Sequence, residues 1–104
     1  MPEHEVIHPD SELGNKMGFT EELFGGYLCL QDNTVWVSAI LSKNPGKHNL
    51  TKLFNQIHNL GYQIKVPQPF PRMEAIVKAK GFLKTTERWE EMDATIDVWV
   101  KHAR

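Results

Sequence analysis

Two alternating apolar segments, Thr34–Ser42 and Tyr62–Val66, flank a stretch in which Leu50, Leu53, Phe54, Ile57 and Leu60 recur at helical spacing. A period of two marks a strand, and the i, i+3, i+4, i+7 repeat marks a helix with one buried stripe. Strand, helix and strand with short joints make a βαβ crossover, which requires the two strands to run parallel with a right-handed connection. Asn49 is the expected N-cap, with His48 and Asn44 as alternatives a turn or less away, and Gly61 fits the C-terminal cap. This unit commits the chain to a sheet with helices packed on it.

The neighbouring segments extend that sheet. Tyr27–Leu30 and Thr34–Ser42 read as an antiparallel hairpin, because Asp32 and Asn33 between them tolerate left-handed backbone angles. Strict alternation puts Val35, Val37, Ala39 and Leu41 on one face of the second strand and Trp36, Ser38 and Ile40 on the other. Both faces are apolar, so that strand is expected to be covered on both sides. Pro67-Gln68-Pro69 stops the strand after Val66. Pro71 suits the first turn of a helix that Met73, Ile76 and Val77 carry to Gly81. Phe82–Thr86 and Ala94–Val100 read as two further strands, with Ala94, Ile96, Val98 and Val100 facing one way and Thr95, Asp97 and Trp99 the other. Trp36 and Trp99 are expected to cover one sheet face.

Residues 1–24 show no sustained period and are interrupted by Pro2, Pro9, Gly14 and Gly18. They are expected to form a partly ordered arm with a short helix at Thr20–Phe24, ended by Gly25-Gly26. The expected fold is therefore α/β in the α+β sense: a mixed, twisted sheet of five to six strands, with one domain over residues 25–104.

Composition narrows the classes further. With 104 residues, 40% hydrophobic and 24% charged, the chain has the make-up of one globular domain. No run approaches the roughly 18 apolar residues of a membrane span, and the acidic start Met1-Pro2-Glu3-His4-Glu5 lacks a signal-peptide layout. Cys29 is the single cysteine, which excludes an internal disulfide and a multi-cysteine zinc site. A cytoplasmic protein is expected. The net charge of -1 conceals a segregation: residues 1–40 carry seven acids against Lys16, whereas residues 41–86 carry eight cations against Glu74. A basic middle in a nearly neutral chain points to a local anion site. A nucleic-acid surface would use the same lysines but needs a broader basic face, and no RNA-binding aromatic signature accompanies them, so no nucleic-acid partner is expected.

The anion site falls in Ser42-Lys43-Asn44-Pro45-Gly46-Lys47-His48-Asn49, between a strand and a helix N-terminus. The first helical N–H groups have no internal partner and the helix dipole favours negative charge there. Gly46 allows close backbone approach, and Lys43, Lys47 and Lys52 add positive charge. A hairpin into such a loop, a helix with Leu53-Phe54, a strand, and a helix closing on Lys78-Ala79-Lys80-Gly81-Phe82 resembles the GNAT acyltransferase superfamily over about residues 25–100. The layout is similar to small phage-encoded members with a shortened N-terminal part. Within that family's pattern, His48 stands at the usual second small residue of the loop, and Val77 stands where many members have a tyrosine acid.

The resemblance implies acetyl-CoA as cosubstrate and an amine as acceptor. Pyrophosphate would rest on amides from Gly46 to Asn49, with Ser42, Lys43, Lys47 and His48 beside it. The pantetheine arm would lie along Ile40, Leu41 and Ser42, and a backbone N–H near Leu41 would polarise the thioester carbonyl. The amine must lose a proton before attack, and Glu74, His58 or a water held by Tyr27 are the candidate bases. The alternative is a catalytically inactive member of the same fold that acts as a binding or regulatory module through protein contacts.

The remaining motifs carry structural readings. His4-Glu5-Val6-Ile7-His8 matches H-E-x-x-H, but Pro9 follows at once and no third ligand accompanies it, so no metal is expected. Cys29, between Leu28 and Leu30 in a strand, reads as a small buried hydrophobe. Pro67-Gln68-Pro69-Phe70-Pro71 reads as a rigid joint that splays a strand from the next helix. Strands with two apolar faces in a small chain suggest a homodimer, formed through the C-terminal strands.

Overall fold

A mixed six-stranded sheet with three helices forms the fold of the computed structural model, which describes residues 5–44, 47–90 and 93–103. In chain order the elements are β1 Glu5–Ile7, α1 Glu12–Met17, β2 Phe24–Gln31, β3 Thr34–Ser42, α2 Asn49–Asn59, β4 Gln63–Pro67, α3 Pro71–Ala79, β5 Leu83–Trp89 and β6 Ala94–Lys101. Strands lie in the order β1-β2-β3-β4-β6-β5. β3 and β4 are parallel and every other neighbouring pair is antiparallel, as a βαβ unit followed by a hairpin requires. Among the described residues, no helix is long and apolar enough to cross a membrane.

The β2–β3 hairpin closes on Asp32 (φ 49°) and Asn33 (φ 63°), two successive left-handed residues between the paired Gln31 and Thr34. That is the turn whose twist matches a two-residue hairpin. Asn33 also donates from its side chain to the carbonyl of Gly61, which ties the turn to the end of α2.

The N-terminal segment differs from the expected arm. Residues 5–24 belong to the sheet and the core: β1 pairs with β2, and Ile7, Met17, Phe19 and Phe24 are buried. The helix lies at Glu12–Met17 rather than Thr20–Phe24, because Ser11 accepts from the N–H of Gly14 as a cap and Gly18 ends the helix in a left-handed conformation. Thr20 instead begins a single turn that delivers Phe24 to β2. Gly25 and Gly26 lie inside β2 rather than breaking it. Gly26, at φ 87°, comes so close to the Ala39 carbonyl that a side chain would collide with it.

One core gathers the helix-bearing face, where Leu53, Phe54 and Ile57 of α2 and Val77 of α3 pack on Leu28, Val35, Val37, Ile64, Val66 and Trp99. A second, smaller cluster of Ile96, Val98 and Val100 is covered by Trp36 and Trp89. Trp36 and Trp99 thus serve opposite faces, contrary to the expectation that they share one. The second face of the central strands is closed by a coiled hairpin. Lys65 aligns with Val100 and Glu87 with Ile96, four positions or roughly 13 Å apart along β6. Lys65 Nζ is nevertheless 2.7 Å from Glu87 Oε2, because the β5–β6 hairpin curls back across the sheet.

Candidate functional site: a cleft where β3 and β4 part

The parallel pairing of β3 and β4 is short, covering only Thr34–Trp36 with Gln63–Lys65. The next residues explain why. Tyr27 aligns with Ala39, but Cys29 aligns with Trp36, so Val37 and Ser38 together face Leu28. This bulge bends β3 and exchanges its faces. Past it β3 follows β2, while β4 leaves alongside β6 as far as the Pro67–Val98 pair. Strict alternation fails at the same point: Ile40 packs against the main core with Val35 and Val37, rather than on the face of Trp36.

Past the point where the strands part, a cleft of about 450 Å³ lies between the end of β3 and the start of α3. Ile40, Leu41 and Ser42 of β3 form one wall, and Phe70, just before α3, forms the other with Arg72, Met73 and Ile76 of that helix. His48, Asn49, Leu50 and Thr51 close one end. The lining is mainly apolar, with Arg72 its one formal cation. Leu41 is 66% and Phe70 84% exposed, so large apolar side chains stand unburied on both lips.

Two sets of backbone groups point into this space. The N–H of Lys43 donates to the carbonyl of Leu23 across an unbroken ladder. Antiparallel alternation then turns Leu41 and Ala39 toward β2, and Ile40 and Ser42 toward the cleft. The free strand amides are therefore those of Ile40 and Ser42, one residue to either side of Leu41. At the closed end, His48 is the N-cap of α2 with φ 59° and no side-chain capping bond. The first helical bond runs from the N–H of Lys52 to the carbonyl of His48, leaving Asn49, Leu50 and Thr51 N–H groups without helical acceptors.

Of the residues singled out from sequence, Ile40, Leu41, Ser42, His48 and Asn49 meet in the cleft. Gly46 lies outside the described residues. Lys47 is exposed. Lys43 is turned away: its Nζ donates to the carbonyl of Glu21 at 2.6 Å, fastening the end of β3 to the turn before β2.

The three candidate bases are dispersed. Glu74 lines a separate recess of about 260 Å³ with Gln68, Asp97 and Trp99. His58 sits near the far end of α2, its Nε2 3.1 Å from the carbonyl oxygen of His102. Tyr27 is 43% exposed on β2, directly opposite Ala39. Val77 is fully buried in the main core and has no access to the cleft.

Arg72, Phe70, Met73 and Ile76 escaped the sequence reading as site residues. Their signal was the proline-bounded joint, since Pro71 at the start of α3 fixes the direction in which the first turn faces β3. For the H-E-x-x-H string, His4 lies outside the described residues, and Glu5–Ile7 is strand rather than the helix that would put two imidazoles on one face. Among the described residues, no group of three or more His, Cys, Asp or Glu side chains is placed to hold a metal ion.

The arrangement suits an elongated ligand. An anionic end can rest on the start of α2, an amide-bearing chain can hydrogen-bond to the free edge of β3, and an apolar portion can lie against Leu41, Phe70 and Met73. No protein-family model matches the chain, and no characterised protein matches its sequence.

Proposed function

We propose that the chain is an acyl-CoA-binding protein of GNAT-like fold that transfers an acetyl group from acetyl-CoA to an amine. The observation that carries this reading is the coincidence, in one cleft, of the bulge-opened edge of β3 and the uncapped N-terminus of α2. The pyrophosphate would accept from the amides of Asn49 to Thr51, with Arg72 supplying charge. The amide-bearing arm of pantetheine would pair with Ser42 as an added strand does, leaving the N–H of Ile40 for the thioester. An N–H of β3 donating to the thioester oxygen would stabilise the charge that develops there when the amine nitrogen bonds to the carbonyl carbon. The C–S bond then breaks and CoA leaves as the thiolate, which takes up the proton lost by the amine.

Burial of Val77, and the placement of Glu74 and His58 outside the cleft, favour a second reading: a ligand-binding or regulatory module of this fold that does not turn over. Isothermal titration with acetyl-CoA, desulfo-CoA and ATP tests the shared part. Micromolar binding of both CoA species but not ATP supports the proposal, and no heat with any of them overturns it. Release of free CoA thiol in an amine screen then separates transfer from binding alone.

A further inference from the structure

The outer edge of β5 is built for pairing, and the orientation of its backbone groups follows from its neighbours. The N–H of Gln68 donates to the carbonyl of Asp97 at 2.8 Å, so Asp97 bonds toward β4 and the residues on either side of it bond toward β5. The β5–β6 ladder runs without a shift from Leu83–Val100 to Trp89–Ala94. Leu83, Thr85, Glu87 and Trp89 are therefore bonded to β6, while Lys84, Thr86 and Arg88 turn their N–H and C=O groups outward.

Sheet edges are ordinarily protected by proline, by bulges or by free charge. This edge has no proline and no bulge over its seven residues. Its two outer cations are held within the chain, Lys84 by Asp97 at 3.7 Å and Arg88 by Asp93.

We propose that β5 pairs antiparallel with β5 of a second copy, about a two-fold axis through Thr86. In that register the outward groups match one another: Thr86 meets Thr86, and Lys84 meets Arg88 of the second copy. Each of the three outward positions exchanges two backbone bonds. On the sheet face of the smaller core, Leu83 comes opposite Trp89 of the second copy. Leu83 is 63% exposed in the single chain and Trp89 only half-buried, so the pair would cover apolar surface on both partners. Lys84 and Arg88 each stand beside a carboxylate of their own chain, Asp97 and Asp93, which offsets part of the repulsion of like charges across the axis.

Sedimentation velocity of the full chain from low to high micromolar concentration tests the pairing, together with amide hydrogen exchange. The expected particle has twice the 12.0 kDa chain mass, with slow exchange at Lys84, Thr86 and Arg88. Thr86→Pro removes an outward N–H that no strand of its own chain uses, and should give a folded monomer. If that variant does not fold, Leu83→Glu at an exposed position should weaken association about tenfold. A monomer at every concentration overturns the proposal, even if an extended peptide from another protein pairs there. So does a dimer that Leu83→Glu leaves unaltered and in which those three amides exchange freely.

Discussion

The rings of Trp36 and Trp89 meet edge to face, with centroids 5.9 Å apart and planes at 66°, although two strands, β4 and β6, lie between the strands that carry them. Lys65 completes the group, its Nζ 5.0 Å from the Trp36 ring centroid and 2.7 Å from Glu87. The contact exists because the β5–β6 hairpin coils over the sheet, and it shelters Val98, which is fully buried without a helix above it.

Trp89→Ala should lower stability by about 2 kcal/mol, less than a fully buried tryptophan because its ring is partly exposed. Trp99→Ala, in the main core, should cost about 3–5 kcal/mol. Urea denaturation of the two variants checks the order, and an equal loss would mean that the second face contributes as much as the first.

Gly26→Ala should abolish folding or cost more than about 3 kcal/mol, since a left-handed backbone and a collision with the Ala39 carbonyl coincide there. Gly61→Ala, at φ 92° with open space around it, should cost about 1 kcal/mol from backbone strain alone. Thermal melts of both variants separate close approach from conformational strain.

Burial pushes the Cys29 thiol above its ordinary range. Its alkylation by iodoacetamide near pH 8 should be slower than that of an unstructured cysteine peptide, with the midpoint of the rate profile displaced upward. The linkage has a definite sign. The folded state holds the proton more tightly, so this contribution is complete below the unfolded thiol pKa and is lost as pH rises through the folded value. Cys29→Ala should flatten that alkaline decline in a pH series of unfolding curves.

Arg72→Glu should weaken acetyl-CoA binding at least about tenfold by reversing charge at an exposed position in the cleft wall, without disturbing the fold. His58→Ala and Glu74→Gln, outside the cleft, should leave affinity nearly unchanged. Titration calorimetry of the three variants makes the comparison, and a large loss in His58→Ala would place the ligand elsewhere.

Periodicity made most of the sheet legible. The hairpin at Asp32-Asn33, the crossover through α2, the parallel β3–β4 pair and the antiparallel C-terminal strands all follow from residues that are local in sequence. The N-terminal elements were illegible for the opposite reason. β1 is three residues long and α1 six, too short to show a period, and both depend on contacts with β2 and α2.

Half of the site was readable in the same way. A strand followed by a polar loop and a helix start pointed to Ser42, His48 and Asn49, because helix N-termini expose backbone groups whatever the side chains are, while Ile40 and Leu41 came only from the resemblance to the GNAT layout. The other half depended on a bulge. Nothing local marks Val37 and Ser38 as two residues facing one, yet that extra residue exchanges the faces of β3, parts it from β4, and brings Phe70, Arg72, Met73 and Ile76 opposite it. From Tyr27 onward, sequence by itself determined which segments are strands and helices and which carry charge, since those depend on neighbours a few residues away. The tertiary structure alone decided where the sheet opens, that Lys43 turns to Glu21, and that two tryptophans distant in the chain close the second face. These depend on register between strands, which one inserted residue can change without altering any local pattern.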